Sequence, residues 1–446
     1  MNIEGAEKIY KTLRVLVKDK PGYLGRLCTV IGEHGANIGE IARIKVGVQF
    51  NTRDVSLTVG SEDHLREIME AVGKLEGIII EEVIDPVLEL HKGGKIRSTS
   101  RVRLESLAQM RRIYTPGVAN VCRAIQADPE LAHEYTSIDH SVAIVTDGSA
   151  ILGLGNIGPV AGMPVMEGKA VLFDKLVGLS GIPILLGTQD VDAIVETVVN
   201  IAPTFGAIKL EDIAAPRCFE VERRLMERLD RPVMHDDQHG TATVVLAALL
   251  NATTYVGVSL KNQTVGIIGL GAAGMGIGNL LLAHGVKHLI GTDLKDEAKS
   301  MLAERGGHPT TLPELMAQAD IVIATTGVPG LVKEEMVRPG QIILALSNPN
   351  PEIRPDAARA AGAAFAADGR SVNNALAFPG IFKGALQARA TRINDRMKIA
   401  AARAIAAAAE KGELVPQILD PQVHLAVTAA VERAALESGV ARSQGD

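Results

Sequence analysis

The apolar positions change period several times along the first ninety residues. From Leu13 to Asp19 the run LRVLVKD alternates in the two-residue rhythm of a half-buried strand. The turn residues PGYLG follow, and RLCTVIGEHG then predicts a helix. Leu24, Leu27, Cys28 and Ile31 fall at helical spacing as its buried stripe, with Gly35 as its stop. NIGEIARIKV and VSLTVGS read as strands, SEDHLREIMEAVGKL as a second helix capped by Ser61, and IIIEEVIDPVLEL as a last strand. The order strand–helix–strand–strand–helix–strand fits a small ferredoxin-like α+β unit over residues 12–90. Pro86, the Gly93–Gly94 pair and the Lys/Arg/Ser-rich stretch after it mark a boundary.

A second segment, residues 94–238, is dense in polar motifs. A third, residues 239–446, opens with the apolar helical pattern TATVVLAALLNATTYVG and alternates strands with helices, as a doubly wound α/β sheet does. It closes with the strong helix former MKIAAARAIAAAAEKG. Three segments agree with the length, since 446 residues at about 150 per domain make about three domains.

Charge narrows the function. With 46 Lys+Arg against 52 Asp+Glu the chain carries −6, which argues against nucleic acid or an anionic membrane as a partner. Cys28, Cys122 and Cys218 lie far apart without metal spacing, as expected in a reduced compartment. MNIEGAEKIYKTLRVLV lacks the pattern of a secretory leader, and no run of about 18 apolar residues occurs. A cytoplasmic protein is expected.

The pattern G-x-G-x-x-G occurs twice. Gly153, Gly155 and Gly158 stand in ILGLGNIGPVAGMP, where Pro159 and further turn residues replace the helix start, so a shaped loop beside an active site is expected. Gly269, Gly271 and Gly274 stand in TVGIIGLGAAGMGIGNLLLAHG, with a buried strand before and a helix after them. HLIGTD ends a second strand at Asp293, at the spacing of a dinucleotide fingerprint. Here Gly269, Gly271, Ala272, Ala273 and Gly274 would let backbone N–H groups approach a pyrophosphate. Asp293 would accept hydrogen bonds from the adenosine ribose, which favours NAD; Lys295, two residues on, keeps NADP open. The third segment is therefore expected to be a Rossmann-type domain.

Acids form the next signal: Glu211 and Asp212 in IKLEDI, and Asp237 in VMHDDQHGT, each directly after a buried apolar run. In open α/β sheets, strand carboxyl ends carry the chemistry. Adjacent strand residues point to opposite faces, so Glu211 and Asp212 converge on one ion only if the strand has already turned into a loop. Oxygen-only ligands suit Mg²⁺ or Mn²⁺. Spacing alone leaves open helix caps or surface ion pairs instead. Lys169, in PVMEGKAVLFDKLVG, is expected to start an apolar helix. As a base near pH 7 it would need its pKa lowered by about 3 units, and it could equally snorkel to solvent. Tyr114, in RRIYTPGVANVCRAI, precedes a Pro-fixed helix start, a position that a core tyrosine would also fill.

Two family resemblances give these residues roles. DKPGYLGRLCTVIGEHGANI resembles an ACT domain, a regulatory module that often binds amino acids. The resemblance covers roughly the first ninety residues and implies an amino-acid effector near Gly22, Leu24 and Asn37, although turn chemistry also explains these types. YTPGV, TDGSAILGLGNIGP, MEGKAVLF, LEDI, HDDQHGTA, IIGLGAAGMG, ALSNPNPE and NNALAFPG, in that order from about Ser106 onward, closely resemble the malic enzyme family. That resemblance implies an α/β malic-enzyme catalytic domain over 94–238 and oxidative decarboxylation of L-malate to pyruvate and CO₂ with reduction of NAD(P). It makes Tyr114 the general acid, Lys169 the general base, and Glu211, Asp212 and Asp237 the divalent-metal ligands. Asn348, Asn373 and Asn374 match positions that hold substrate and the nicotinamide end, and Asp236 neighbours a metal ligand. Larger members carry an arginine where this chain has Ala150, so backbone N–H groups of the Gly155–Gly158 loop are expected to meet the second carboxylate of malate. A homodimer is the default assembly. The rival readings are a malolactic enzyme, which releases lactate without net NADH, an ACT-bearing dehydrogenase without decarboxylation, and an effector-binding protein on a non-catalytic scaffold.

Overall fold

The computed structural model describes residues 9–151 and 153–442. Met1–Lys8, the start of the stretch read for a leader, and Leu152 of ILGLGNIGP lie outside the described residues. The chain divides into two compact units, residues 1–95 and 96–446.

The first unit is an antiparallel sheet of β1 (Ile9–Lys18), β2 (Asn37–Lys45), β3 (Phe50–Val59) and β4 (Ile78–Ile84), in the order β2–β3–β1–β4. Helices Tyr23–Glu33 and Glu62–Gly73 complete the expected ferredoxin-like order. Leu13, Val15 and Val17 alternate along one face of β1 and meet Leu27, Ile31 and Ile68 of the helices. The first helix buries a narrower stripe than its spacing suggested: Leu27 and Ile31 are buried, Leu24 and Cys28 only in part. Ser61 caps the second helix through the His64 N–H, as expected. The last strand, expected to run to Leu90, stops at Ile84. Pro86 cannot donate to a sheet ladder, and the Asp85 carboxylate accepts the Val87 and Leu88 N–H groups, so a short helix Pro86–His91 begins instead.

The second unit contains two parallel sheets. β5 (Ser141–Thr146), β6 (Ser180–Leu185), β7 (Ala207–Leu210) and β8 (Val233–His235) lie in the order β6–β5–β7–β8. β9 (Thr264–Ile268), β10 (His288–Thr292), β11 (His308–Pro309), β12 (Ile321–Ala324), β13 (Ile342–Ala345) and β14 (Phe365–Asp368) lie in the order β11–β10–β9–β12–β13–β14. Counted within its own sheet, the second order is 3-2-1-4-5-6, the Rossmann arrangement, with its dinucleotide crevice beside the first strand.

Helix Asp236–Val256 leaves β8 without a break and buries residues on nearly every side. It is the spine shared by both sheets: Ile144 of β5, Leu246 and Leu249 of this helix, Ile267 of β9 and Ile405 near the C-terminus belong to one continuous core. Each such side chain contributes about 1.5–3 kcal/mol through burial. Residue 238, the expected segment boundary, therefore lies inside a helix. The C-terminal helices Phe378–Gln387, Asp395–Ala408 and Pro421–Glu437 complete this layer, and Phe173 of helix Pro159–Val177 packs edge-on against Phe378 and Phe382 at 4.9 and 5.6 Å. No described helix is long and apolar enough to cross a membrane.

Candidate active site

β7 ends at Leu210, so Glu211 and Asp212 stand where the strand becomes a loop. Asp212 takes φ +53°, a left-handed conformation that aspartate tolerates better than most side chains. That turn removes the opposition of adjacent strand residues. One carboxylate oxygen each from Glu211, Asp212 and Asp237 lies within 4.8 Å of the others. Asp237 is in the first turn of helix Asp236–Val256, and its Oδ2 accepts the Asp212 backbone N–H at 2.9 Å. Burial, then the nearby charge of Asp237, pushes the Asp212 carboxyl up to about 7. Crowded acids of this kind favour a positive counter-charge, and three oxygen donors fit a hard divalent cation such as Mg²⁺ or Mn²⁺.

Lys169 sits in the middle of helix Pro159–Val177, whereas the sequence pattern put it at a helix start; the helix begins ten residues earlier because Pro159 occupies its first position, as proline does readily. Pro159 thus opens the helix that the pattern around Gly158 had discounted. The Lys169 Nζ lies 2.9 Å from Asp236 Oδ2 and 3.0 Å from Glu211 Oε1. Burial pulls its pKa down, but Asp236, Asp237 and Asp212 outweigh burial and hold the ammonium above its ordinary value.

Two groups in this centre escaped the sequence reading. Lys209 is fully buried on β7, paired with Glu211 Oε2 and 3.1 Å from Asp236 Oδ2. Burial lowers its pKa to about 8. Its two-residue spacing from Glu211 was a visible signal that both could share a face. Glu222 accepts the His235 N–H at 2.7 Å, Gln238 Nε2 at 3.1 Å and pairs with His239 at 3.0 Å, which fixes the chain around Asp236 and Asp237. Burial would raise the Glu222 carboxyl, but His239 and His235 draw it down to about 2. Asp236 behaves alike: burial opposes its charge, and Lys169 and Lys209 bring it to about 2.

The TDGSA segment braces the same loop. Asp147 accepts from Ser149 and Arg217, and Ser149 Oγ accepts the Ala214 N–H. In the Gly155–Gly158 loop, the Gly155 and Gly158 N–H groups already donate to Ile151 O and Gly148 O, so neither is free for a substrate carboxylate as expected.

Lys169, Glu211, Asp212 and Asp237 line a cavity of about 1080 Å³ together with Ala150, Ala272, Ala273, Asn348, Asn373 and Asn374. Arg370, also unanticipated, lines it too, paired with Asp368 at 2.7 Å. Asn374 accepts from Thr241 Oγ1, and Asn373 caps the Ala375 N–H. Of the fingerprint, Ala272 and Ala273 line the cavity, and its glycines shape the turn that leads into them. Gly269 has φ +92°; a Cβ on Gly274 would lie 1.9 Å from Gly269 O, whereas one on Gly271 meets no protein atom within 4 Å. Only glycine fits at 274, and Gly271 keeps the entrance to helix Ala272–His284 open. Asp293 follows β10 and accepts the Leu270 and Lys295 N–H groups at 2.7 and 2.9 Å.

Tyr114 does not join this cavity: it ends helix Leu107–Ile113 and is 68% exposed. In the first unit, Gly22 and Leu24 lie at one end of helix Tyr23–Glu33 and Asn37 beyond the other. An 11-residue helix is about 16 Å long, so one copy of the module does not gather the three.

Sequence comparison decides the family. Residues 94–226 match the malic enzyme N-terminal domain and residues 366–437 the malic enzyme NAD-binding domain. The NAD-dependent malic enzyme 1 of Bacillus subtilis is 57% identical over 433 residues, covering 97% of this chain and 99% of that protein. The chain belongs to the malic enzyme family. The NAD-dependent malic enzyme of Geobacillus stearothermophilus is 41% identical, covering 99% of this chain and 98% of its own length. Among solved structures, the malic enzyme of Pyrococcus horikoshii is 42% identical with a TM-score of 0.75, covering 80% of this chain and 92% of that one. The NAD-dependent malic enzyme of Thermotoga maritima is 40% identical with a TM-score of 0.74, covering 78% and 99%. Residues 11–77 match the ACT domain, so this malic enzyme carries that module, and residues 233–330 match the NAD-binding domain of D-isomer specific 2-hydroxyacid dehydrogenases.

Proposed function

We propose that this chain oxidatively decarboxylates L-malate to pyruvate and CO₂ with NAD and a divalent cation. The observation that carries this reading is the carboxylate triplet of Glu211, Asp212 and Asp237, gathered within 4.8 Å, in one cavity with Lys169 and with Ala272 and Ala273 at the start of helix Ala272–His284. When bound, the cation supplies Lewis-acid polarisation of the malate oxygen and the nicotinamide accepts a hydride. Glu211, Asp212 and Asp237 would hold the cation. Lys169 takes the malate hydroxyl proton at Nζ, oriented by Asp236 and Glu211. Because Asp236, Asp237 and Asp212 keep Lys169 protonated, its work as a base depends on acids of the centre being neutralised. Asn348, Asn373 and Asn374 position substrate and the nicotinamide end, and Arg370 is a cation available to a substrate carboxylate where Ala150 offers none. Asp293 favours NAD over NADP by repelling a phosphorylated ribose. Tyr114, outside the cavity of a single chain, protonates the enolate carbon only once another copy or a rearrangement presents it, which agrees with an expected homodimer. Residues 12–90 serve as the effector module, 94–238 as the catalytic segment and 239–446 as the dinucleotide segment.

The test is reduced-nicotinamide absorbance with L-malate and Mn²⁺, with NAD and NADP in parallel, with and without EDTA, together with pyruvate and lactate assays. EDTA-sensitive NADH matched by pyruvate is expected. Lactate without NADH would establish the malolactic reading, and silence from folded, metal-loaded protein would reduce the catalytic half to a scaffold. Adding single amino acids to the full-length enzyme tests the effector role.

A further inference from the structure

Lys209 is a fully buried lysine placed against two carboxylates of the proposed metal centre. Its ammonium takes Glu211 Oε2 and approaches Asp236 Oδ2 at 3.1 Å, while Lys169 takes Glu211 Oε1 at 3.0 Å and the same Asp236 Oδ2 at 2.9 Å. Two lysines therefore bridge one pair of acids. Both ammoniums stand over the face of Phe378, at 4.6 Å for Lys209 and 5.1 Å for Lys169. Phe378 is itself fully buried and braced by Phe173. Lys209 thus does not touch solvent, and its charge acts on the acids with less screening than surface lysines receive. With all four acids ionised, as a bound cation would hold them, Glu211, Asp212, Asp236 and Asp237 set against Lys169 and Lys209 leave two negative charges, the complement of one divalent ion.

We propose that Lys209 is a positioning residue: a fixed cation that occupies one oxygen of Glu211, competes with the divalent ion for that carboxylate, and holds Glu211 and Asp236 in register with Lys169. The proposal rests on the metal-centre reading above. It sets the sign of a substitution. Removing a structural prop from a metal site weakens binding, whereas removing a competing charge strengthens it.

The experiment measures Mn²⁺ binding to the full-length enzyme by the loss of the free-Mn²⁺ electron paramagnetic resonance signal, without malate or nucleotide. Wild type, Lys209→Met, Lys209→Gln and Lys209→Arg are compared, with circular dichroism to confirm folding. Both neutral variants should bind Mn²⁺ about ten- to a hundred-fold more tightly, the scale of one unit charge a few ångströms away in a partly screened site. Their turnover at saturating Mn²⁺ should fall, and Lys209→Arg should return the affinity to within about three-fold of wild type. Unchanged or weaker binding in folded Lys209→Met and Lys209→Gln overturns the proposal. Failure of both to fold overturns it as well, since Lys209 would then serve the fold alone. A wild-type enzyme that binds no Mn²⁺ overturns the metal-centre reading along with it, which separates the two failures.

Discussion

Gly240→Ala tests how tightly the centre is built. In a helix this exchange is ordinarily favourable by about 1 kcal/mol. At Gly240 an added Cβ would lie 1.9 Å from Asp236 Oδ1, 2.9 Å from Asp236 Cγ and 3.4 Å from Asn374 Cβ. Asp236 Oδ1 must then retreat by about 1.5 Å to reach an ordinary contact. Its carboxylate is rigid, so Oδ2 moves too, and Oδ2 is the oxygen 2.9 Å from Lys169 and 3.1 Å from Lys209. Asp236 is fully buried, with no solvent to turn toward. Overpacking costs about 1–3 kcal/mol and loosening a buried ion pair more, so a net loss of about 2–4 kcal/mol is expected. Turnover should fall about a hundred-fold, because Lys169 shifts with its partner. Gly32→Ala is the control: Gly32 is exposed in helix Tyr23–Glu33, and its Cβ would meet nothing within 4 Å. Thermal unfolding and malate-dependent NADH formation of the three proteins decide the matter. Gly240→Ala as stable and as active as wild type would refute the argument that Asp236 is immobile.

Lys169→Met should lower kcat about 10²- to 10⁴-fold while Mn²⁺ binding, read by electron paramagnetic resonance, persists. Tyr114→Phe should lower activity comparably, and unchanged activity would assign the proton donor elsewhere. Co-expression of the two variants should restore part of the activity if a second copy supplies Tyr114, and absence of restoration would leave a rearrangement within one chain. Glu222, held at about 2 against an ordinary 4.5, contributes stability that is present above the ordinary value and lost as pH falls toward 2. Glu222→Gln should therefore be less stable at neutral pH by about 3 kcal/mol, with the gap closing in acid unfolding curves. Asp293→Ala removes the acceptor of the Leu270 and Lys295 N–H groups and should raise KM for NAD about ten-fold with a smaller change in kcat.

Much of this was legible in the chain. Periodicity marked the ferredoxin-like unit because its β1 buries Leu13, Val15 and Val17 on one face, which leaves a clean alternation. The fingerprint around Gly269 was readable because its glycines answer local demands: the turn at Gly269 and the close approach at Gly274. Local chemistry also misled in places. IIIEEVIDPVLEL looks like one strand rich in branched apolar residues, but Asp85 and Pro86 together start a helix. Lys169 looked like a helix start because the glycines and prolines before it read as turns, whereas tertiary packing carries helix Pro159–Val177 through Pro164.

By itself the sequence determined most element types and the Rossmann signature, because periodicity and glycine chemistry are properties of neighbouring residues. The acids and the lysine were singled out through their resemblance to malic enzyme motifs, since spacing alone left caps, ion pairs and a solvated lysine open. Tertiary structure decided what those residues do to one another. Glu211 and Asp212 converge with Asp237 because the chain turns at Asp212 and helix Asp236–Val256 starts beside it. Lys169 and Lys209 come to share Asp236 and Glu211, and Tyr114 stays outside the cavity of a single chain. Such relations depend on distances between segments far apart in sequence and on the exclusion of water, and neither is written in the order of residues along one strand or helix.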